Sequence, residues 1–372
     1  MTLPPPLDWR EAGIGPGPDV PAERRVTRAN WRTWPYTRWA FQHARELVPS
    51  VALPGGSPRA LPERPVDLGW NAFLAETYTD AALVLHRGAI VYERYFNGMT
   101  PATPHMAFSI TKSIAGIVAE RLIDAGRLDA EAKVEALLPE LAASGFADAT
   151  VRQVLDMTDG AAFDEDYANP DAEVHRYSAA YWGDSTEGVL GALPMLTRRS
   201  AAPGAQFRYR TAAADVLAHL LRRATGERLA ALVAREVWQP SGCGDEAHML
   251  VDTSGLEMAG TGLNATARDL ARVGLWLIEE RRLLAGLAEG GDRALFDAAY
   301  GEVRPGGSYR SLWWIDHDSG LIAANGVFGQ RLWIDPAAEL VVVKLGSHPV
   351  TSNGFTEALH RAQFARLRET LG

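Results

Sequence analysis

His105-Met-Ala-Phe-Ser109-Ile-Thr-Lys112-Ser-Ile-Ala-Gly-Ile-Val-Ala-Glu-Arg-Leu-Ile-Asp-Ala-Gly126 reads as a loop that turns into one long helix. At about 100° per residue, Ser113, Glu120, Asp124 and Arg127 fall on a narrow polar strip. Ile110, Ile114, Ile117, Val118, Leu122 and Ile123 take most of the remaining circumference. A helix so apolar belongs at the centre of a fold, and Gly126 supplies its stop signal. Ser109 and Lys112, three residues apart in the first turn, are neighbours on one side. A serine hydroxyl becomes nucleophilic when a nearby base takes its proton, and lysine is such a base only where desolvation keeps it partly neutral. The helix N-terminus also offers unpaired N–H groups to a developing oxyanion.

Lysine usage sharpens this pairing. Among 37 Lys+Arg, lysine occurs only at Lys112, Lys133 and Lys344, so arginine fills nearly every generic cationic position. Arginine cannot shuttle a proton, and position 112 keeps lysine. The competing reading is a lysine snorkelling from a first helical turn beside an unrelated serine.

The 372 residues, 47% hydrophobic, allow one large or two medium domains. A net charge of -9 with dispersed arginines argues against nucleic acid. The single cysteine, Cys243, excludes an intrachain disulfide and a Cys-based metal cluster, and reads as a loop residue without function. There is no signal-peptide core and no run long enough to span a membrane, so a cytoplasmic location is expected. Gly-x-x-x-x-Gly-Lys, His-Glu-x-x-His and Gly-x-Ser-x-Gly are missing, which removes the main signatures of phosphate-loop enzymes, zincins and standard α/β hydrolases.

Along the chain, residues 1–68 are rich in Pro, Gly and Arg with Trp9, Trp31, Trp34 and Trp39 interspersed, and are expected to form an ordered arm across the body. Ala82–His86 and Ile90–Tyr95, joined through Arg87-Gly88-Ala89, predict a hairpin. Helical segments follow at residues 130–141, 151–157, 189–196 and 212–225. Between them, Asp159 to Glu173 is an acidic loop, a solvated face unless it borders the site, where it would favour a substrate ammonium group. Thr266 and Asp269 predict a capped helix reaching about Glu280. Strands are predicted at Leu312–Ile315, Leu321–Ala324, Gln330–Ile334 and Leu340–Leu345, then a terminal helix over Asn353–Leu371. The two ends of the chain thus build one sheet into which a helical middle is inserted. Tyr209, in Gly204-Ala-Gln-Phe-Arg-Tyr209-Arg-Thr211, is a candidate proton relay that a cationic lysine could draw toward phenolate.

Ser-x-x-Lys, then Tyr-x-Thr about 100 residues on, then a Gly-bearing strand, resembles the serine β-lactamase and penicillin-binding-protein superfamily. The closer resemblance is to its 6-aminohexanoate-dimer hydrolases, through Arg38-Trp-Ala-Phe41, Glu46-Leu-Val-Pro-Ser50, Thr77-Tyr-Thr-Asp80, Val154-Leu-Asp-Met157, Glu165-Asp-Tyr167, Thr266-Ala-Arg-Asp-Leu-Ala-Arg-Val-Gly274 and Gly329-Gln330. It implies a two-domain α/β (α+β) fold of β-lactamase/transpeptidase type: a mainly antiparallel sheet flanked by helices, with an inserted helical domain. The expected divisions are 1–107, 108–260 and 261–372. Ser109 matches the acylated nucleophile, Lys112 its partner, Tyr209 the general acid or base, and Tyr167 a mobile-loop tyrosine closing on the substrate. Trp182 matches a lid tryptophan with one residue gapped. Ala324-Asn325-Gly-Val327 replaces the Lys-Thr-Gly strand, so the Val327 and Ser109 N–H groups would form the oxyanion hole, with Asn325 and Phe328 near the substrate.

Phe328 stands where these amide hydrolases have His, which alters pocket polarity, and Thr111 and Thr211 replace serines. Without Lys-Thr-Gly, the usual cation for a β-lactam carboxylate is missing. The resemblance implies an acyl-enzyme hydrolase of small linear amides or esters, with no cofactor or metal and no membrane partner, and leaves a homodimer open. A carboxylesterase with little amidase activity and a non-catalytic ligand-binding protein on the same fold are the alternatives.

Overall fold

In a computed structural model that describes residues 3–371 other than 168, 184 and 185, the two ends of the chain meet in one antiparallel sheet. Its strands are β1 (Thr79–His86), β2 (Ala89–Tyr95), β3 (Gly307–Arg310), β4 (Trp313–Asp316), β5 (Leu321–Gly326), β6 (Gln330–Asp335) and β7 (Leu340–Gly346). The spatial order is β2-β1-β7-β6-β5-β4-β3, so β1 lies directly against β7, Val84 opposite Val342. An antiparallel sheet flanked by helices is the arrangement expected from the sequence. The β1–β2 hairpin turns through Arg87 and Gly88, both at positive φ.

The quoted stretch forms α1 (Ile110–Asp124), buried along most of its length. Gly126, at φ +68°, ends it: its N–H donates to the Ile123 carbonyl and that of Arg127 to the Leu122 carbonyl, the paired bonds of a Schellman stop. The N-terminal half of the polar strip is used internally, while Asp124 and Arg127 stay exposed. Ser113 donates to the Leu312 carbonyl, and Glu120 takes an ion pair from Arg152. Thr266 caps the helix Ala267–Glu279 by accepting from the Asp269 N–H. The terminal helix spans Gly354–Leu371.

A second, four-stranded sheet was not predicted. It joins Ser50–Leu53, Ala247–Leu250, Leu263–Ala265 and His105–Met106, all too short to carry a clear alternating pattern. Helices Glu173–Trp182, Arg281–Glu289 and Arg293–Tyr300 were likewise unforeseen. Leu312 is not in a strand: Ser311 and Leu312 both have positive φ and form a corner against α1. Trp31 and Trp39 of the N-terminal arm are buried, and Cys243 sits in the core with its thiol on the Asp269 carbonyl.

Gly116 faces that corner so closely that a Cβ there would collide with the Ser311 carbonyl. Gly116→Ala is expected to lower stability by about 1–3 kcal/mol through overpacking, read as a fall in melting temperature. An unchanged melting temperature would contradict the contact.

Candidate active site

Phe108 enters the left-handed region at φ +48°, which turns the chain sharply from the small sheet into α1. Ser109 is thereby the N-cap residue of the helix, yet its side chain makes no capping bond. Its hydroxyl instead accepts from Lys112 Nζ at 2.8 Å. Lys112 is 1% exposed and also donates to the Gly260 carbonyl at 2.6 Å. Burial brings its pKa down to about 8, while the charges of Glu165 and Asp215 pull the other way. Thr111 holds the turn, donating to the Phe108 carbonyl and accepting from the Leu263 N–H.

Tyr209 packs flat on Trp314, with ring centroids 5.4 Å apart, and Lys112 Nζ lies 5.3 Å from the centre of its ring. Contact with the Ser109 hydroxyl favours its phenolate, but burial, the larger effect, and the Glu165 charge keep the phenol well above its ordinary pKa. The expected drift toward phenolate is therefore corrected: the phenol stays protonated, because desolvation outweighs the nearby lysine.

Two residues missed from the sequence set this balance. Asp215 is buried and accepts from the Tyr177 and Tyr181 phenols and, at 3.1 Å, from the N–H of Gly260, the residue whose carbonyl accepts the Lys112 hydrogen bond. Burial raises its pKa to about 6 despite these donors. Glu165 accepts from the Thr211 N–H at 2.6 Å, the Thr211 hydroxyl and the Tyr167 phenol, so an anion closes the N-terminus of the helix Thr211–Thr225 just beyond Tyr209. Asp215 gave no signal in its helix; Glu165 lay in the acidic loop. That loop is not simply a solvated face: Asp159 is buried against Arg210 at 3.3 Å, while Asp164, Glu165 and Asp166 line a cavity that also includes Ser109.

Two cavities meet at Ser109, Tyr167 and Val327. One, of about 390 Å³, also includes Tyr209, Trp314, Asn325, Arg208 and Arg304. The other, of about 280 Å³, includes Trp182, Tyr181, His175, Arg32 and Phe328. Tyr167 is exposed, and Trp182 packs edge-on against Trp31 with Arg32 over its ring. Val327 opens the turn after β5, close to Ser109. Phe328, at φ +61°, is 6% exposed and lies among Phe41 and Phe108, so its ring is mostly core and only borders the second cavity.

The family model described as "Beta-lactamase" matches residues 73–366. A 6-aminohexanoate-dimer hydrolase from Paenarthrobacter ureafaciens is 34% identical over 349 residues, 87% of this chain and 88% of the relative. Among solved structures, a protein provisionally named 6-aminohexanoate-dimer hydrolase from Bacillus anthracis superposes with a TM-score of 0.83 at 27% identity, covering 95% of this chain and 98% of the other. EstCE1, a hydrolase with promiscuous acyltransferase activity, has a TM-score of 0.62 at 19% identity over 79% of this chain and 96% of its own, and shares the fold. The chain thus belongs to the beta-lactamase family, with 6-aminohexanoate-dimer hydrolases among its relatives, and is a serine hydrolase.

Proposed function

We propose that the protein hydrolyses small linear amides or esters through an acyl-enzyme on Ser109. The observation that carries this reading is the 2.8 Å contact between the Ser109 hydroxyl and a buried lysine whose pKa lies at about 8. At pH 7 roughly one Lys112 in ten is neutral, far more than the fraction of Tyr209 present as phenolate, so Lys112 is the base in the resting enzyme. As Ser109 Oγ bonds to the carbonyl carbon, its proton passes to Lys112 Nζ and the carbonyl electron pair moves to oxygen. The N–H groups of Ser109 and Val327 take the oxyanion. When the tetrahedral species collapses, Tyr209 gives its proton to the leaving nitrogen or oxygen and regains one from the Lys112 ammonium. Water then adds to the acyl carbonyl, its proton going to the same relay, and the acid departs.

Two cavities joined at the nucleophile suit a substrate extended on both sides of its scissile bond. The dimer of 6-aminohexanoate, for which the Paenarthrobacter relative is named, is such a linear amide. Tyr167 and Trp182 flank the junction and the second cavity as substrate contacts.

Intact-mass measurement after fluorophosphonate treatment is expected to give a single adduct that Ser109→Ala lacks; labelling that persists in the variant would place the nucleophile elsewhere. Tyr209→Phe is expected to cut amide turnover by about 10²–10⁴-fold, and a loss under threefold would remove the phenol from the proton path. Because the protonated amine cannot accept a proton, kcat/KM should rise with pH and level off above about 8. Asp215→Asn deletes a carboxylate that stabilises the ammonium, so the inflection should move to lower pH; an unmoved or higher inflection would exclude Lys112 as the titrating base.

A further inference from the structure

The larger cavity is polarised, and its positive side has no assigned use. Arg208, next to Tyr209 in sequence, lines it, and among the described residues its guanidinium makes no hydrogen bond or ion pair. Arg304 lines the same wall and lies over the Trp314 ring, 4.6 Å from its centre. Its carboxylate partner, Glu357, is shared: Arg304 approaches it to 3.4 Å, Arg331 to 3.0 Å and Arg361 to 3.1 Å. Asp316, 3.4 Å from Arg361, is the other acid in the group, so three guanidiniums meet two carboxylates before Arg208 is added.

Asn325 adds a fixed donor. The Trp333 indole N–H, which can only donate, reaches one end of the Asn325 amide at 2.8 Å, so that end is the oxygen and Nδ2 is the other. Among the described residues Nδ2 is buried without a partner, and Asn325 borders the same cavity. Tyr300 completes the wall, near enough to both arginines for their charges to oppose the effect of burial on its phenol. The facing acids are already engaged: Glu165 by Thr211 and Tyr167, Asp164 by the Asp166 N–H and the Asn169 amide.

We propose that Arg208 and Arg304, with Asn325 Nδ2, form a subsite for a carboxylate in the leaving group of the substrate. The leaving side follows from the position of Tyr209, which lines this cavity and would protonate the departing atom. This inference rests on the acyl-enzyme reading above. Guanidinium–carboxylate pairing gives the strong, directional recognition that a point charge on lysine lacks, and here it acts on a leaving amine bearing an acid, as in an amide between two ω-amino acids.

The test compares a linear ω-amino acid dimer with its C-terminal methylamide, which has the same scissile bond and no carboxylate. The unaltered enzyme is expected to favour the free acid in kcat/KM by on the order of tenfold to a hundredfold, mainly through KM. Arg208→Gln should bring that ratio toward one and Arg208→Lys should restore part of it. Equal rates for the two compounds with the unaltered enzyme, or the same preference in Arg208→Gln, would overturn the subsite. Fluorophosphonate labelling of Ser109 in the same preparations separates the two ideas: labelled protein with no acid preference sinks the subsite alone, whereas unlabelled protein sinks the acyl-enzyme reading beneath it.

Discussion

The buried amine of Lys112 is the constraint from which most of the site follows. An ammonium taken out of water costs several kcal/mol unless oxygen atoms replace the lost hydration. Among the described residues only the Ser109 hydroxyl and the Gly260 carbonyl bond it directly, and the two carboxylates that favour its charge, Glu165 and Asp215, act from further away. A carboxylate in direct contact would hold the proton more firmly, and removing the distant ones would lower the proton affinity further. The apolar surface of α1, the burial of Asp215 beneath two tyrosines and the placing of Glu165 on a helix N-terminus are separate contributions to one intermediate proton affinity.

The electrophilic side depends on backbone shape. The residue before Ser109 and the residue after Val327 are both phenylalanines at positive φ, a conformation that costs about 1–3 kcal/mol for a bulky side chain. Their rings touch, with centroids 5.2 Å apart, and both lean on Phe41. One aromatic cluster therefore holds both turns that carry the proposed oxyanion donors. This gives Phe328 a reason to be aromatic independent of pocket polarity, and it ties the N-terminal arm, through Phe41, to the geometry around Ser109.

Features written in contiguous residues could be read from the sequence. The β1–β2 hairpin has a continuous pattern and a glycine turn, the Thr266 cap is three residues from its partner, and Ser109 and Lys112 share one helical turn. Features that exist only through folding could not. The strands 50–53, 247–250 and 263–265 are three or four residues long and become a sheet only by finding one another. Asp215 looks like any polar position of its helix until Tyr177, Tyr181 and Gly260 close around it. Tyr209 was misjudged in its proton affinity because residue types indicate neighbouring charge far better than they indicate dehydration.

The pairing of β1 with β7 brings together segments more than 250 positions apart, and Ser109, the proposed nucleophile, follows the first of them after one further strand of that sheet. During synthesis residue 109 emerges early, but Tyr209, Gly260 and Val327 follow much later, and β1 lacks its second neighbour until the chain is almost finished. An exposed, hydrated lysine beside a hydrated alcohol has no unusual reactivity. On the proposed mechanism the nascent polypeptide therefore carries its nucleophile in a dormant form, and chemical competence arrives only with completion of the fold.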